Sequence, residues 1–358
     1  MSNIISYLTS YGDKTFVDEP FNELDAAILS QISYLDFTQF TKNEFSQFSD
    51  LKGQEDLIKA AAEDTWFPVD SEQLVSDVAG SKRYGQISWS DYLNLVNKKT
   101  EQQFSAITFQ LSPDLYFLAF GGTDSSILGL KEDLNMSYQK TVPSQISGLK
   151  YFKKISQKYS GTFFLGGHSK GGNVAVYAGV HAEEELQQLI EKIFNFDGPG
   201  FGKDKSSIKI NDKIFKFIPQ SSIVGRLLDP DNKFQVVKSD AKGFRQHNLF
   251  TWQVTGRSFV RLDAPDEFSQ YVSGATSEIV DLIEDDNKEI FINALYELIT
   301  STDSTSMTEL KKNWFSKAIS VLNNLKDVDP ELRKVLLKTT KNLAVISFKS
   351  TQILFKRK

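Results

Sequence analysis

The sequence predicts an α/β protein: a mostly parallel central sheet with a helical segment before it and a helical extension after it. Three observations carry this. Between residues 104 and about 262, short apolar runs alternate with helix-patterned stretches, the signature of parallel strands joined by crossover helices. Before residue 100 the apolar residues recur mostly at helical spacing. From about residue 265 onward the same periodicity returns.

The elements follow in order. In the stretch 21–35, Leu24, Ala27, Ile28 and Ile32 share one helical face, and 53–64 and 90–99 are two further helical candidates. Residues 104–112 and 116–122 are strand-like runs separated by Pro113 and Asp114, a hairpin. Ile146, Leu149, Phe152 and Ile155 mark a helix over 143–159, and the apolar run 161–167 is a buried strand. Residues 170–193 read as the next helix. The runs 193–198, 213–219, 234–239 and 249–256 then alternate with turn residues. Stretches 285–300, 307–325 and 342–358 carry helical stripes. The division expected is a helical N-terminal segment over 1–100, a core over 101–262 and a helical extension over 263–358.

Composition bounds the function. The chain has 358 residues, 40% hydrophobic, enough to bury one large core with an appendage. Its net charge of −5 argues against nucleic-acid binding. With no cysteine and three histidines there is no disulfide, no thiolate chemistry and no recognisable metal-ligand spacing, so neither metal nor cofactor is expected. The first residues lack a cationic start followed by an apolar run, and no apolar stretch reaches membrane-spanning length. Together with the absence of cysteine this predicts a cytoplasmic protein. The final stretch is basic and amphipathic, compatible with peripheral membrane contact, although a helix packed on the domain is the commoner outcome.

The chemistry rests on Gly167-His168-Ser169-Lys170-Gly171, a G-x-S-x-G pentapeptide. Alone it is weak, arising by chance in roughly one chain in ten of this length. Its context is specific: a strand precedes it and a helix follows it, as a nucleophile elbow requires, and its flanking glycines leave room for the strained turn. Read otherwise, it is a glycine-rich turn with a helix-capping serine. A serine needs a base. His168 lies inside the motif and His181 is about three turns along the next helix. His247 remains, downstream of the serine as the order Ser, acid, His demands. The acid lies among Asp197, Asp204, Asp212, Asp229, Asp231 and Asp240. Asp197 is preferred because it ends an apolar run, where an acid reaches the crevice at the strand ends.

The segment around Ser169 resembles that of the class 3 (fungal-type) lipases and a related bacterial lipase-like branch. Phe120-Gly121-Gly122-Thr123, ending a strand, resembles the family's F-R-G-T/S segment, so the resemblance covers about 104–256. It implies an α/β-hydrolase fold, with oxyanion donors at the backbone N–H groups of Thr123 and Lys170. It also implies an acidic residue at Asp133 and a substrate lid over 125–138 containing Leu128, Leu130, Leu134 and Met136. Two positions depart from the pattern. Gly121 stands where the family has arginine. After the run 213–219, where the family has its acid, this chain has Gln220-Ser221-Ser222.

The expectation is therefore a serine ester hydrolase of lipase or esterase type, acting on a small-molecule ester or lipid through Ser169, His247 and Asp197. The alternative is a non-catalytic protein that keeps the hydrolase fold as a binding scaffold.

Overall fold

Among the described residues, aromatic and branched residues in alternation build one sheet of eight strands. β1 (Ser88–Asn97) and β2 (Gln102–Ser112) run antiparallel, and β2 turns through Pro113 and Asp114 into antiparallel β3 (Leu115–Phe120). From β3 the sheet continues in parallel through β4 (Thr162–His168), β5 (Ile190–Phe196), β6 (Ile214–Pro219) and β7 (Gln235–Val237). A hairpin of β8 (Val254–Thr255) and β9 (Ser258–Phe259) precedes β10 (Arg261–Leu262), which closes the far edge antiparallel to β7. The computed structural model describes residues 2–43, 46–123, 132, 135–136, 139, 141–200, 210–227, 233–267 and 269–270. The helical stripes expected beyond residue 270 lie outside them.

Because β3 to β7 are consecutive neighbours, right-handed crossovers carry the described connecting helices to the same face. That face is covered by α6 (Pro143–Lys158) and α7 (Lys170–Val180), numbered after the five N-terminal helices below. Tyr116, Leu118 and Phe120 of β3 point toward it, packing with Phe152, Ile155, Val174 and Ala178. The intervening residues Phe117 and Ala119 point the other way, as the two-residue period of a strand requires.

The opposite face is covered by the N-terminal segment: α1 (Ile4–Tyr11), α2 (Glu23–Ile32), α3 (Thr38–Thr41), α4 (Glu55–Ala62) and α5 (Pro68–Gly80). Asn3 and Asn22 cap α1 and α2, each accepting from backbone N–H groups of the first turn. α2 lies on β3, β4 and β5, with Leu24, Ala27, Ile28 and Ile32 fully buried. A buried ion pair ties α2 to the turn that follows α5: Asp25 accepts from Arg83 Nε at 2.7 Å and Nη2 at 2.6 Å, and from the Tyr84 hydroxyl.

Two expectations are corrected. Residues 90–99 are not helical: 90–97 belong to β1, paired with β2 through a bulge between Ser90 and Leu93, and 98–99 lie in the turn that follows. This edge strand leaves Leu95 and Val96 exposed, so its apolar residues never form the buried stripe that mimicked a helix; strand pairing overrides local propensity. Residues 170–193 do not form one helix. α7 ends at Val180, α8 (Glu184–Gln188) is a single short turn, and Ile190 opens β5, where pairing with β4 claims the apolar residues.

Candidate active site

Ser169 sits between the last residue of β4 and the first of α7, with φ 57° and ψ −129°. A non-glycine residue held at positive φ is strained, and such strain concentrates where surrounding structure over-determines the turn. Two glycines permit it by close approach. A Cβ at Gly167 would strike the Gly171 backbone, and one at Gly171 would strike the Phe120 carbonyl. Ser169 is thereby raised at the carboxyl end of the sheet beside a helix N-terminus.

His247 ends a short 3-10 turn, Gly243–His247, that follows β7. Its Nε2 lies 3.0 Å from Ser169 Oγ, and its Nδ1 lies 2.7 Å from Asp197 Oδ2. The turn is pinned from behind: the Trp252 indole N–H donates to the Gln246 carbonyl at 2.8 Å, and the Gln246 side chain accepts from Ser221 N at 2.9 Å. Asp197 follows β5 at φ 52° and is 1% exposed. Its other oxygen accepts from Ser222 Oγ at 2.5 Å and from Gly225 N at 3.1 Å. Ser222 belongs to the stretch Gln220–Ser222, where the lipase resemblance puts the acid. Here a hydroxyl at that place donates to a carboxylate carried one strand earlier.

His168 is buried behind the elbow. Its Nε2 lies 2.7 Å from the His247 carbonyl, which can only accept, so Nε2 carries the proton and Nδ1 accepts from the Tyr34 hydroxyl at 2.9 Å. The rings of His168 and His247 lie 4.6 Å apart. Burial first, and the neighbouring His247 second, hold the His168 pKa well below its ordinary value near 6.5, so it is neutral.

The strand-end segment Gly121–Thr123 runs against the elbow. A Cβ at Gly122 would strike the Tyr34 hydroxyl and the His168 carbonyl, and one at Gly121 would strike the Ser105 hydroxyl, so an arginine there would require Ser105 to move. Thr123 is buried, and its carbonyl accepts from the Trp66 indole at 2.8 Å. Lys170 opens α7, and the N–H of a first helical residue has no intrahelical acceptor. Its side chain is buried, bonded to Gln103 and Glu132.

The remaining expectations fall elsewhere. His181 is the C-cap that follows α7, stacked on Tyr177, away from Ser169. Asp212 lies in a 3-10 turn before β6, and Asp240 pairs with Gln253. Asp204, Asp229, Asp231, Asp133, Leu128, Leu130 and Leu134 lie outside the described residues. Tyr34, Trp66, Glu132 and Ser222 escaped the sequence reading. Only Ser222 carried a signal, as one of the three residues Gln220, Ser221 and Ser222 that stand where the resemblance expects an acid. Among the described residues no group of three or more histidine, aspartate or glutamate side chains could hold a metal, and no helix is long and apolar enough to cross a membrane.

A parallel sheet carrying a strained strand-to-helix serine, an aspartate after the next strand and a histidine beyond the last parallel strand defines a lipase-like α/β-hydrolase. The family model called Mbeg1-like matches residues 78–297, more than half of the chain, which therefore belongs to the Mbeg1-like family. Among similar solved structures, M37 lipase is 17% identical, covering 57% of this chain and 70% of that one with a TM-score of 0.35. Lipase II from Rhizopus niveus is 15% identical, covering 60% and 78% with a TM-score of 0.37. A mutant form of MDLA from Penicillium cyclopium is 12% identical, covering 67% and 88% with a TM-score of 0.34. No curated protein sequence matches the chain.

Proposed function

We propose that this protein is a serine carboxylic-ester hydrolase working through an acyl-enzyme on Ser169. The observation that carries the reading is the continuous hydrogen-bonded line from Ser169 Oγ through His247, at 3.0 Å, to the buried Asp197, at 2.7 Å. His247 Nε2 takes the serine proton as Oγ attacks the ester carbonyl. The N–H groups of Thr123 and Lys170 receive the developing oxyanion. His247 then protonates the leaving alcohol, and water repeats the sequence to release the acid. Asp197 stays ionised, keeps the Nδ1–H tautomer and stabilises the imidazolium. The substrate is a small-molecule ester or a lipid. The segment 125–138, in the place of the lipase lid, and the amphipathic terminus support an acyl chain.

The test is labelling of purified protein by a fluorophosphonate, wild type beside Ser169→Ala and His247→Ala. Labelling of the wild type alone supports an activated serine. A folded wild type that neither labels nor hydrolyses p-nitrophenyl esters overturns the proposal in favour of the binding-scaffold reading.

A further inference from the structure

Behind the elbow lies a charged pair that the reaction does not use. Lys170 and Glu132 are 1% and 0% exposed, and their side chains meet at 3.2 Å. Every bond around them is directed. Lys170 Nζ donates to the Gln103 carbonyl and to Gln103 Oε1, both at 2.7 Å. Glu132 accepts from Ser144 N at 2.9 Å, Ser144 Oγ at 2.7 Å and Gln103 N at 3.1 Å.

A buried ion pair is about neutral in stability against an apolar replacement, so stability alone does not account for it. What it supplies is register. Lys170 provides one oxyanion donor through its own backbone N–H, and its ammonium is tied to the start of β2. Glu132 is bonded to β2 through Gln103 N and to the first turn of α6 through Ser144, and Ser105, two residues on in β2, accepts at 2.9 Å from the N–H of Gly121 in the segment that ends at Thr123, the other donor. We infer that Lys170 and Glu132 are a positioning pair that sets the two oxyanion-hole amides relative to Ser169. This rests on the hydrolase reading above.

The experiment compares wild type with Glu132→Gln, Lys170→Met and the double variant. The readouts are kcat and KM on p-nitrophenyl butyrate, Tm, and inhibition by a trifluoromethyl ketone that mimics the tetrahedral intermediate. All three variants should lose roughly tenfold to a hundredfold in kcat, with KM within about twofold, because an oxyanion donor acts in the transition state. Trifluoromethyl ketone inhibition should weaken in parallel. Single variants leave one buried charge unpaired and lose Tm. The double variant should regain Tm without regaining kcat. Recovery of kcat together with Tm in the double variant, or single variants that lose Tm alone, overturns the inference and leaves the hydrolase reading intact. A folded wild type with neither turnover nor fluorophosphonate labelling overturns both.

Discussion

Asp197 and Ser222 show how one site exchanges roles between neighbouring residues. The carboxylate leaves β5 while the hydroxyl leaves β6, yet both reach the same histidine line because parallel strands end together at the crevice. Asp197→Asn keeps the shape but presents the wrong tautomer to His247, and kcat should fall roughly 10³- to 10⁴-fold. Ser222→Ala removes one bond to the carboxylate and should cost about tenfold in kcat, the scale of a hydrogen bond to a charged group. Equal losses in the two variants would contradict this division, as steady-state kinetics would reveal. His168 sets a pH dependence of its own. Its folded pKa lies below 6.5, so the unfolded chain takes up a proton that the folded site refuses. Its contribution to stability is full above about pH 6.5 and is lost as pH falls below it, by up to about 1.4 kcal/mol per pH unit. Denaturant titrations at pH 7 and pH 5 should show this slope in wild type and a shallower one in His168→Asn; identical slopes would mean that His168 is protonated in the fold.

At the scale of elements, α2 is joined by a charge, and not by packing alone, to the turn between α5 and β1. Asp25 and the Arg83 head group are fully buried, and Asp25 also accepts from the hydroxyls of Tyr7 and Tyr84. Burial, reinforced by the Asp25 charge, pushes both tyrosines upward in pKa, so both remain neutral donors. Asp25→Ala leaves the guanidinium buried without its carboxylate and should cost roughly 3–5 kcal/mol in denaturant unfolding. A loss below about 1 kcal/mol would mean that Arg83 finds water or another acceptor. The consequence reaches the site, because α2 leads into Tyr34 and α4 into Trp66, and these two residues hold His168 and Thr123 from the N-terminal side.

For the whole molecule, the consecutive strand order decides what the N-terminal segment is for. Crossovers of one hand put α6 and α7 on one face, and a parallel sheet needs both faces covered. The first 80 residues supply the second cover, through Ile28, Ile32, Phe37 and Phe48 among others. Removing residues 2–80 should therefore yield a chain that binds a hydrophobic dye and lacks a cooperative thermal transition. A soluble truncated protein with a sharp melting transition would refute this account of the N-terminal segment.

Local patterns are enough to read the parallel core and the elbow from sequence. A strand, a glycine-flanked serine and a helix announce themselves within a short stretch, and three histidines leave little choice of base. Asp197 is legible as a strand end, though it stands among five other aspartates until β5 and β6 set it beside His247. The edge strand β1 reads as a helix because its pairing partner, not its own periodicity, determines its form. Tyr34, Trp66 and Glu132 are invisible, since polar side chains show no period that betrays a partner 134, 57 or 38 residues away. Sequence by itself determined which chemistry the chain could carry, because the serine stands in a local strand-to-helix motif and only three histidines are available as its base. Tertiary structure alone decided which groups hold that chemistry in place, because hydrogen bonds act over about 3 Å in space and are indifferent to distance along the chain.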